Sequence, residues 1–268
     1  MHCFVFDIET VPDVDYGRRL YHLSDLDDDE VARIMFTQRR AETGAEFLPI
    51  EQHRIVAISV AFRSRDALKV WSLGEPGVPE RELIVRFFDG IEKHTPDLVT
   101  WNGKGFDLPV LNYRSLLYGV PAPRYWETGD EDTSFRYNNY LSRFHWRHVD
   151  LMDVLSGFQA RSRAGLDDVA ALLGLPGKLG MQGSEVWQAY QAGEIGRIRD
   201  YCETDVLNTY LIFLRFQLIR GRLTAEQHVA EVARVRKLLA DSGKEHFRRF
   251  LAAWPEAGRP GMGGREAG

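Results

Sequence analysis

The sequence predicts an α/β domain built on a mixed sheet, and three observations carry that prediction. Three strand-like runs are followed by helix, strand, helix and strand patterns, a layered α/β order. Two of the strands run straight into acids beside a turn or helix start, where open α/β sheets gather ligands. From Met152 onward the apolar spacing is helical.

The first strand covers residues 2–9 and is apolar on both faces until Asp7, which places it centrally in the sheet; Val11-Pro12-Asp13 ends it. Residues 13–53 are polar and charged, and read as a helical excursion with a mobile surface. Within it Asp25 to Glu30 form an acidic run that reads as a solvated helix start. Ile55 to Phe62 and Ala67 to Trp71 are the second and third strands, joined by a hairpin-like turn at Ser64-Arg65-Asp66. Leu83, Ile84, Phe87, Phe88 and Ile91 have helical spacing. Leu98 to Trp101 make a short strand that opens into Asn102-Gly103-Lys104-Gly105-Phe106-Asp107, and a helix follows from Leu108 to the stop at Gly119. Residues 120–147 interleave aromatic residues with arginines, and His148 to Leu151 read as a last strand. Helices are expected over Leu166–Leu173, Glu194–Leu218 and Ala225–Ala240. The expected organisation is one domain over residues 1–253, with insertions at about 13–53 and 120–147, and a disordered Gly/Pro-rich tail over 254–268.

Composition narrows the function classes. A chain of 268 residues can bury a full core. Its net charge of −5 means that a polyanionic substrate would need a local basic surface or bound metal. Its two cysteines, Cys3 and Cys202, fit a reducing compartment, and no Cys/His cluster has zinc spacing. There is neither a signal-peptide pattern nor an apolar run long enough to span a membrane, so the expected location is cytoplasmic.

Three stretches carry chemistry. In Phe4-Val5-Phe6-Asp7-Ile8-Glu9-Thr10 the acids are spaced i, i+2, so on a strand they face the same way with Val5 behind them. Two close carboxylates repel unless a cation lies between them, and Mg²⁺ takes oxygen ligands while keeping positions open for phosphate and water. The second acid is Asp107, after two glycines that let the chain turn and before Pro109 in a first helical turn. Asp107 reads equally as a metal ligand or as a helix N-cap. The third stretch is Tyr201-Cys202-Glu203-Thr204-Asp205, where Tyr201 and Asp205 share a face of a largely apolar helix. A buried Asp there requires a cation or hydrogen-bond donors.

Taken together, these stretches resemble the three exonuclease motifs of the DEDD superfamily. The Tyr-x3-Asp spacing marks the tyrosine subgroup. The chain is similar to the proofreading domain of family-B DNA polymerases, and most of all to stand-alone predicted 3′–5′ exonucleases related to it. The resemblance spans residues 1 to about 218, and no polymerase domain accompanies it. It implies a ribonuclease H-like fold, with a mixed β-sheet, the first strand at its centre and helices on both faces. It also implies two Mg²⁺ or Mn²⁺ ions held by Asp7, Glu9, Asp107 and Asp205, with Tyr201 orienting the attacking water. The implied reaction is release of 5′-mononucleotides from the 3′ end of single-stranded DNA, or of RNA as the alternative.

Phe106 and Thr10 are candidates to touch the terminal base and sugar, and Asn102 and Lys104 to meet a phosphate; each reads also as a core or turn residue. Asp150 reads as a supporting acid or as an N-cap. The stretch 124–147 reads as a stacking surface for single-stranded bases or as a satellite hydrophobic cluster. Arg161, Arg163 and Lys178 read as solvated charges or as lining the nucleic-acid path. Two rival classes remain. Aspartate-nucleophile phosphatases fit poorly, because Glu9 and Val11 stand where their second Asp and their Thr belong. A non-catalytic binding module predicts loss of a metal acid, and all four are present.

Overall fold

The computed structural model describes residues 1–255. Five strands, β1 (Cys3–Pro12), β2 (His53–Arg63), β3 (Leu68–Ser72), β4 (Asp97–Thr100) and β5 (His148–Asp150), form one sheet in the order β3-β2-β1-β4-β5. β1 pairs antiparallel with β2 and parallel with β4, so the sheet is mixed and β1 is central. This is the ribonuclease H-like arrangement. β1 is longer than its sequence pattern predicts. It continues through Pro12, whose missing N–H is tolerated at a strand end.

Alternation along β1 divides the core. Phe4, Phe6 and Ile8 face α3 (Glu80–His94) and α4 (Asp107–Tyr118), packing with Leu83, Phe87 and Leu111. Cys3 and Val5 face the opposite layer, dominated by α9 (Ile195–Ile219), with α10 (Ala225–Asp241) and α11 (Glu245–Ala253) behind it. α9 is buried on nearly every side from Tyr201 to Leu214, which its apolar composition requires.

The insertion after β1 is an ordered pair of helices, α1 (Val14–Tyr21) and α2 (Asp28–Thr43). Val14, Val31, Ala32, Met35 and Leu48 give it a small core of its own, with Trp187 packed against it. The acidic run does start a helix. Asp27 accepts from the Glu30 backbone N–H at 2.8 Å, and Glu30 accepts from the Asp27 N–H at 3.2 Å, a capping box.

The remaining short helices are α5 (Pro123–Trp126), α6 (Leu151–Leu155), α7 (Leu166–Leu172) and α8 (Val186–Gln191). α11 has no counterpart among the sequence-based expectations. Trp254, assigned by sequence to the tail, is buried in the core, and the Arg236 guanidinium lies 4.1 Å from its ring centroid. The rest of that tail, from residue 256, lies outside the described residues.

Buried ions tie the layers together. Arg63 bonds Glu231 at 2.8 and 2.6 Å, joining β2 to α10. Arg114 of α4 bonds Glu80 at 2.8 and 2.5 Å and also Asp13, and all three side chains are nearly inaccessible. Arg114→Met strands two buried carboxylates, so we expect a loss of about 3–5 kcal/mol in urea-unfolding stability. A loss below about 1 kcal/mol would mean that water reaches the pair.

Candidate active site

β1, the sheet's central strand, carries Asp7 and Glu9 on the α9 side, as their i, i+2 spacing demands. The strand register slips by one residue between Glu9 and Thr10, the kind of irregularity that re-aims side chains at a sheet end. α9 supplies Tyr201, Cys202 and Asp205 to the same place. One carboxylate oxygen each of Asp7 and Glu9 and the Cys202 sulfur lie within 4.8 Å of one another.

Asp107 arrives from the other layer. β4 stops at Thr100, leaving the Ile8 N–H free on that edge, and Asp107 Oδ1 accepts it at 3.1 Å. Of the two readings of Asp107, the N-cap is excluded. Phe106 holds the cap position, and Asp107 is the first helical residue with its carboxylate turned to β1. The turn before it is held by Asp150, which accepts the N–H groups of Asn102 and Lys104, each at 2.9 Å, and also caps α6. Gly103 and Gly105 are required in this turn, since a Cβ on either would overlap the Thr100 or Asn102 side chain.

Four carboxylates thus meet with little water around them. Glu9, Asp107 and Asp205 are buried and Asp7 is half-buried. Burial, then the neighbouring Asp107 and Asp205, holds Asp7 well above the usual carboxylate range. Glu9 is raised likewise, by burial and then by Asp7. Burial lifts Asp107 to about 7 against the opposing N–H bonds from its own backbone and Ile8. It lifts Asp205 to about 7 against Lys178 and the Tyr201 hydroxyl. Tyr201 itself is pushed far up by burial and then by the neighbouring Asp205 charge, so it stays a phenol. Asp205 Oδ1 is buried with no hydrogen-bond partner. An orphaned carboxylate oxygen among three more acids fits a hard divalent cation. Cys202 does not fit that role: its thiol is raised well above normal by burial and donates toward Asp7, 3.6 Å to Oδ2.

Helix α9 is fixed in register between Tyr201 and Asp205 by Glu203. Its Oε1 accepts the Ser72 N–H at 2.9 Å, and its Oε2 takes Lys244 at 2.7 Å and His246 at 2.9 Å. Asn208, one turn further, bonds Gly177 at 2.9 and 3.3 Å and so holds the loop bearing Lys178. The Lys178 ammonium lies 5.8 Å from the Tyr201 ring centroid and counteracts the raised values of Asp7, Glu9 and Asp205.

A cleft of about 740 Å³ opens from Glu9, lined by Thr10, Phe106 and His53 on the sheet side and by Phe47, α2 and Trp187 opposite. Phe47, His53 and Phe106 form a three-ring cluster with centroids 5.0–5.4 Å apart. The Thr10 hydroxyl bonds His53 at 2.8 Å. Of the other residues singled out from sequence, Lys104 turns away and donates to the Ser142 carbonyl at 2.9 Å. Asn102 folds back over its own turn with φ 64°. Arg163 bonds Asp153 at 2.6 Å, and Arg161 is exposed. In the 120–147 stretch Tyr125, Phe135 and Tyr140 are core residues, whereas Tyr137 and Phe144 are largely exposed. Sequence reasoning missed Cys202, Phe47, His53, Trp187 and the α2 wall, because nothing local marks which segment will fold across a strand end.

A DNA polymerase of Archaeoglobus fulgidus is similar, 25% identical over 165 residues. Those residues are 60% of this chain and 20% of the polymerase, so the chain spans about a fifth of that relative's length. The model of one protein family matches residues 45–254, a stretch that holds Asp107, Tyr201 and Asp205, while Asp7 and Glu9 precede it. With most of its length matched, the chain belongs to the family described as predicted 3′–5′ exonucleases related to the exonuclease domain of PolB.

Proposed function

We propose that the protein is a metal-dependent 3′–5′ exonuclease that removes 5′-mononucleotides from single-stranded nucleic acid, with DNA favoured over RNA. What supports this reading is that Asp7 and Glu9 from β1 share one neighbourhood with Asp107 from α4 and Asp205 from α9, each of whose charges opposes their ionisation. These four would hold two Mg²⁺ or Mn²⁺ ions, which when bound would acidify a water and neutralise charge on the scissile phosphate. The Tyr201 phenol, one helical turn before Asp205 on α9, positions the attacking water. The raised tyrosine does not serve as a base. Lys178 puts a positive charge beside the acids, where the phosphate has to approach against net negative charge. Phe106 and Thr10 line the cleft beside Glu9, which suits the terminal base and sugar. The α2 wall lies within the first insertion, where substrate choice would be set. Asn102 shapes the turn that aims Asp107. Relationship to a DNA polymerase's exonuclease domain favours DNA. Among the described residues no helix is long and apolar enough to cross a membrane. The two free, buried thiols suit a reducing, cytoplasmic setting.

The test uses 5′-labelled single-stranded DNA and RNA of equal sequence. We expect a ladder shortening from the 3′ end, faster on DNA, abolished by EDTA and restored by excess Mn²⁺ or Mg²⁺. Intact substrate with either metal, from protein that still binds the oligonucleotide, would leave a binding module.

A further inference from the structure

Beyond the acids the structure holds a second cavity, of about 430 Å³, on the other side of the Asn102–Asp107 turn. Gly105 lines it, while the next residue, Phe106, lines the cleft at Glu9, so the two openings flank one short turn. Its charged lining is unbalanced. Lys104, Arg143 and Arg163 face a single carboxylate, Asp153. Arg143 bonds Asp153 Oδ2 at 2.9 Å and Arg163 bonds Oδ1 at 2.6 Å. Both guanidiniums remain about a third or more exposed, and Asp153 is buried. One arginine would neutralise that acid, so the second adds a positive charge with no local structural need. Lys104 adds another, set near the buried Asp150 as well as Asp153, and its ammonium's only hydrogen bond here is to a neutral carbonyl, that of Ser142. Withdrawal from water pushes the Lys104 ammonium down to about 8, and an anion beside it would reverse that.

Two further features suit a nucleic acid. Asn112 lines this cavity, and its buried Oδ1 has no hydrogen-bond partner. At the rim Arg143 lies 5.2 Å from the Phe158 ring and 6.0 Å from the Phe144 ring, and Phe144 is largely exposed. Cations interleaved with exposed rings are how single strands are held without sequence preference.

We propose that Lys104, Arg143 and Arg163 form a subsite for backbone phosphates of a single strand, on the 5′ side of the nucleotide held at the acids. The 3′ end sits at the acids in the proposed function, and the strand then crosses Gly105 into this cavity. Only that polarity rests on the nuclease reading; the phosphate subsite itself does not.

The test is fluorescence anisotropy of a labelled single-stranded 12-mer DNA, in EDTA, across a salt series. Lys104→Gln, Arg143→Gln and Arg163→Gln are compared with wild type. Each arginine variant leaves Asp153 one partner, and the glutamine at 104 keeps a donor for Ser142. Arg86→Gln, on the exposed face of α3, is the control for removing any positive charge. Each cavity variant should weaken binding about five- to tenfold and lower the slope of log Kd against log salt by about 0.7 per lost phosphate contact. Arg86→Gln should do neither. Melting temperatures identify folded variants, and any one that folds suffices. Affinities and slopes matching the Arg86→Gln control, or a wild-type protein that does not bind in EDTA, would overturn the subsite. A protein that binds through these residues yet never shortens DNA would overturn the nuclease reading and leave the subsite standing.

Discussion

Asp7→Asn should eliminate 3′-end shortening and yet melt at a higher temperature than the wild-type chain in EDTA at pH 8. The activity loss follows from Asp7 sharing the charge cluster with the other acids: its ionisation is opposed by Asp107 and Asp205, and it in turn opposes that of Glu9. Removing a charge that would neutralise a phosphate through bound metal costs several kcal/mol of barrier, about 10³-fold or more in rate. The stability gain has the same origin. Without metal, the cluster pays for burying like charges, and deleting one relieves about 1–3 kcal/mol, or about 3–8 °C. The pH dependence fixes the sign. An acid raised in the folded state keeps its proton after the unfolded chain has lost it. Its stabilising contribution is therefore complete below the ordinary carboxylate value and lost as pH rises through the folded one. For Asp107 and Asp205 that window runs from 3.8 to about 7. Melting in EDTA should accordingly fall across that window in wild type, and less steeply in Asp7→Asn. Millimolar Mn²⁺ should raise the wild-type melting temperature at pH 8, and raise the variant's much less. A variant that melts below wild type in EDTA would mean that Asp7 makes a structural bond outweighing the repulsion.

What the sequence made legible is what local geometry decides. Alternation on one strand fixes that Asp7 and Glu9 share a face, and helical spacing fixes that Tyr201 and Asp205 do, before anything is known of the other layer. The centrality of β1 is visible too, since a strand apolar on both faces must be covered on both. Asp107 marks where this ends. Whether its carboxylate caps its own helix or reaches across to Ile8 depends on where β4 stops relative to β1, which only pairing decides. The same holds for Lys178. On its loop it reads as one more solvated charge, and it is Asn208 of a distant helix that holds that loop against the acids. The 120–147 stretch divides for a similar reason. Tyr125, Phe135 and Tyr140 differ from Tyr137 and Phe144 by which side of an irregular path they leave, and an irregular path has no period to read. The cleft wall formed by α2 is invisible in sequence because its apolar spacing serves its packing on α1 as well as it serves a ligand.

Tyr201→Phe should lower kcat about 10²-fold while leaving metal binding intact. The phenol is held far above the neutral range by burial and by Asp205, Glu9 and Asp7, so it contributes a fixed dipole and not a titrating base. It lies one helical turn from Asp205, whose Oδ1 has no partner. Deleting the hydroxyl therefore removes the group that aligns the incoming water. It does not remove an oxygen from the four carboxylates, so the Mn²⁺-induced rise in melting temperature should match that of wild type. KM for oligonucleotide should change little, because the strand's contacts lie in the cleft and not on this ring. The shape of the pH–rate profile decides between the two roles open to a tyrosine. A positioning phenol lowers the whole profile without moving its limbs, since it does not titrate anywhere in the measured range. Loss of an alkaline limb in Tyr201→Phe would identify a tyrosinate base instead, and unchanged turnover would remove Tyr201 from the mechanism.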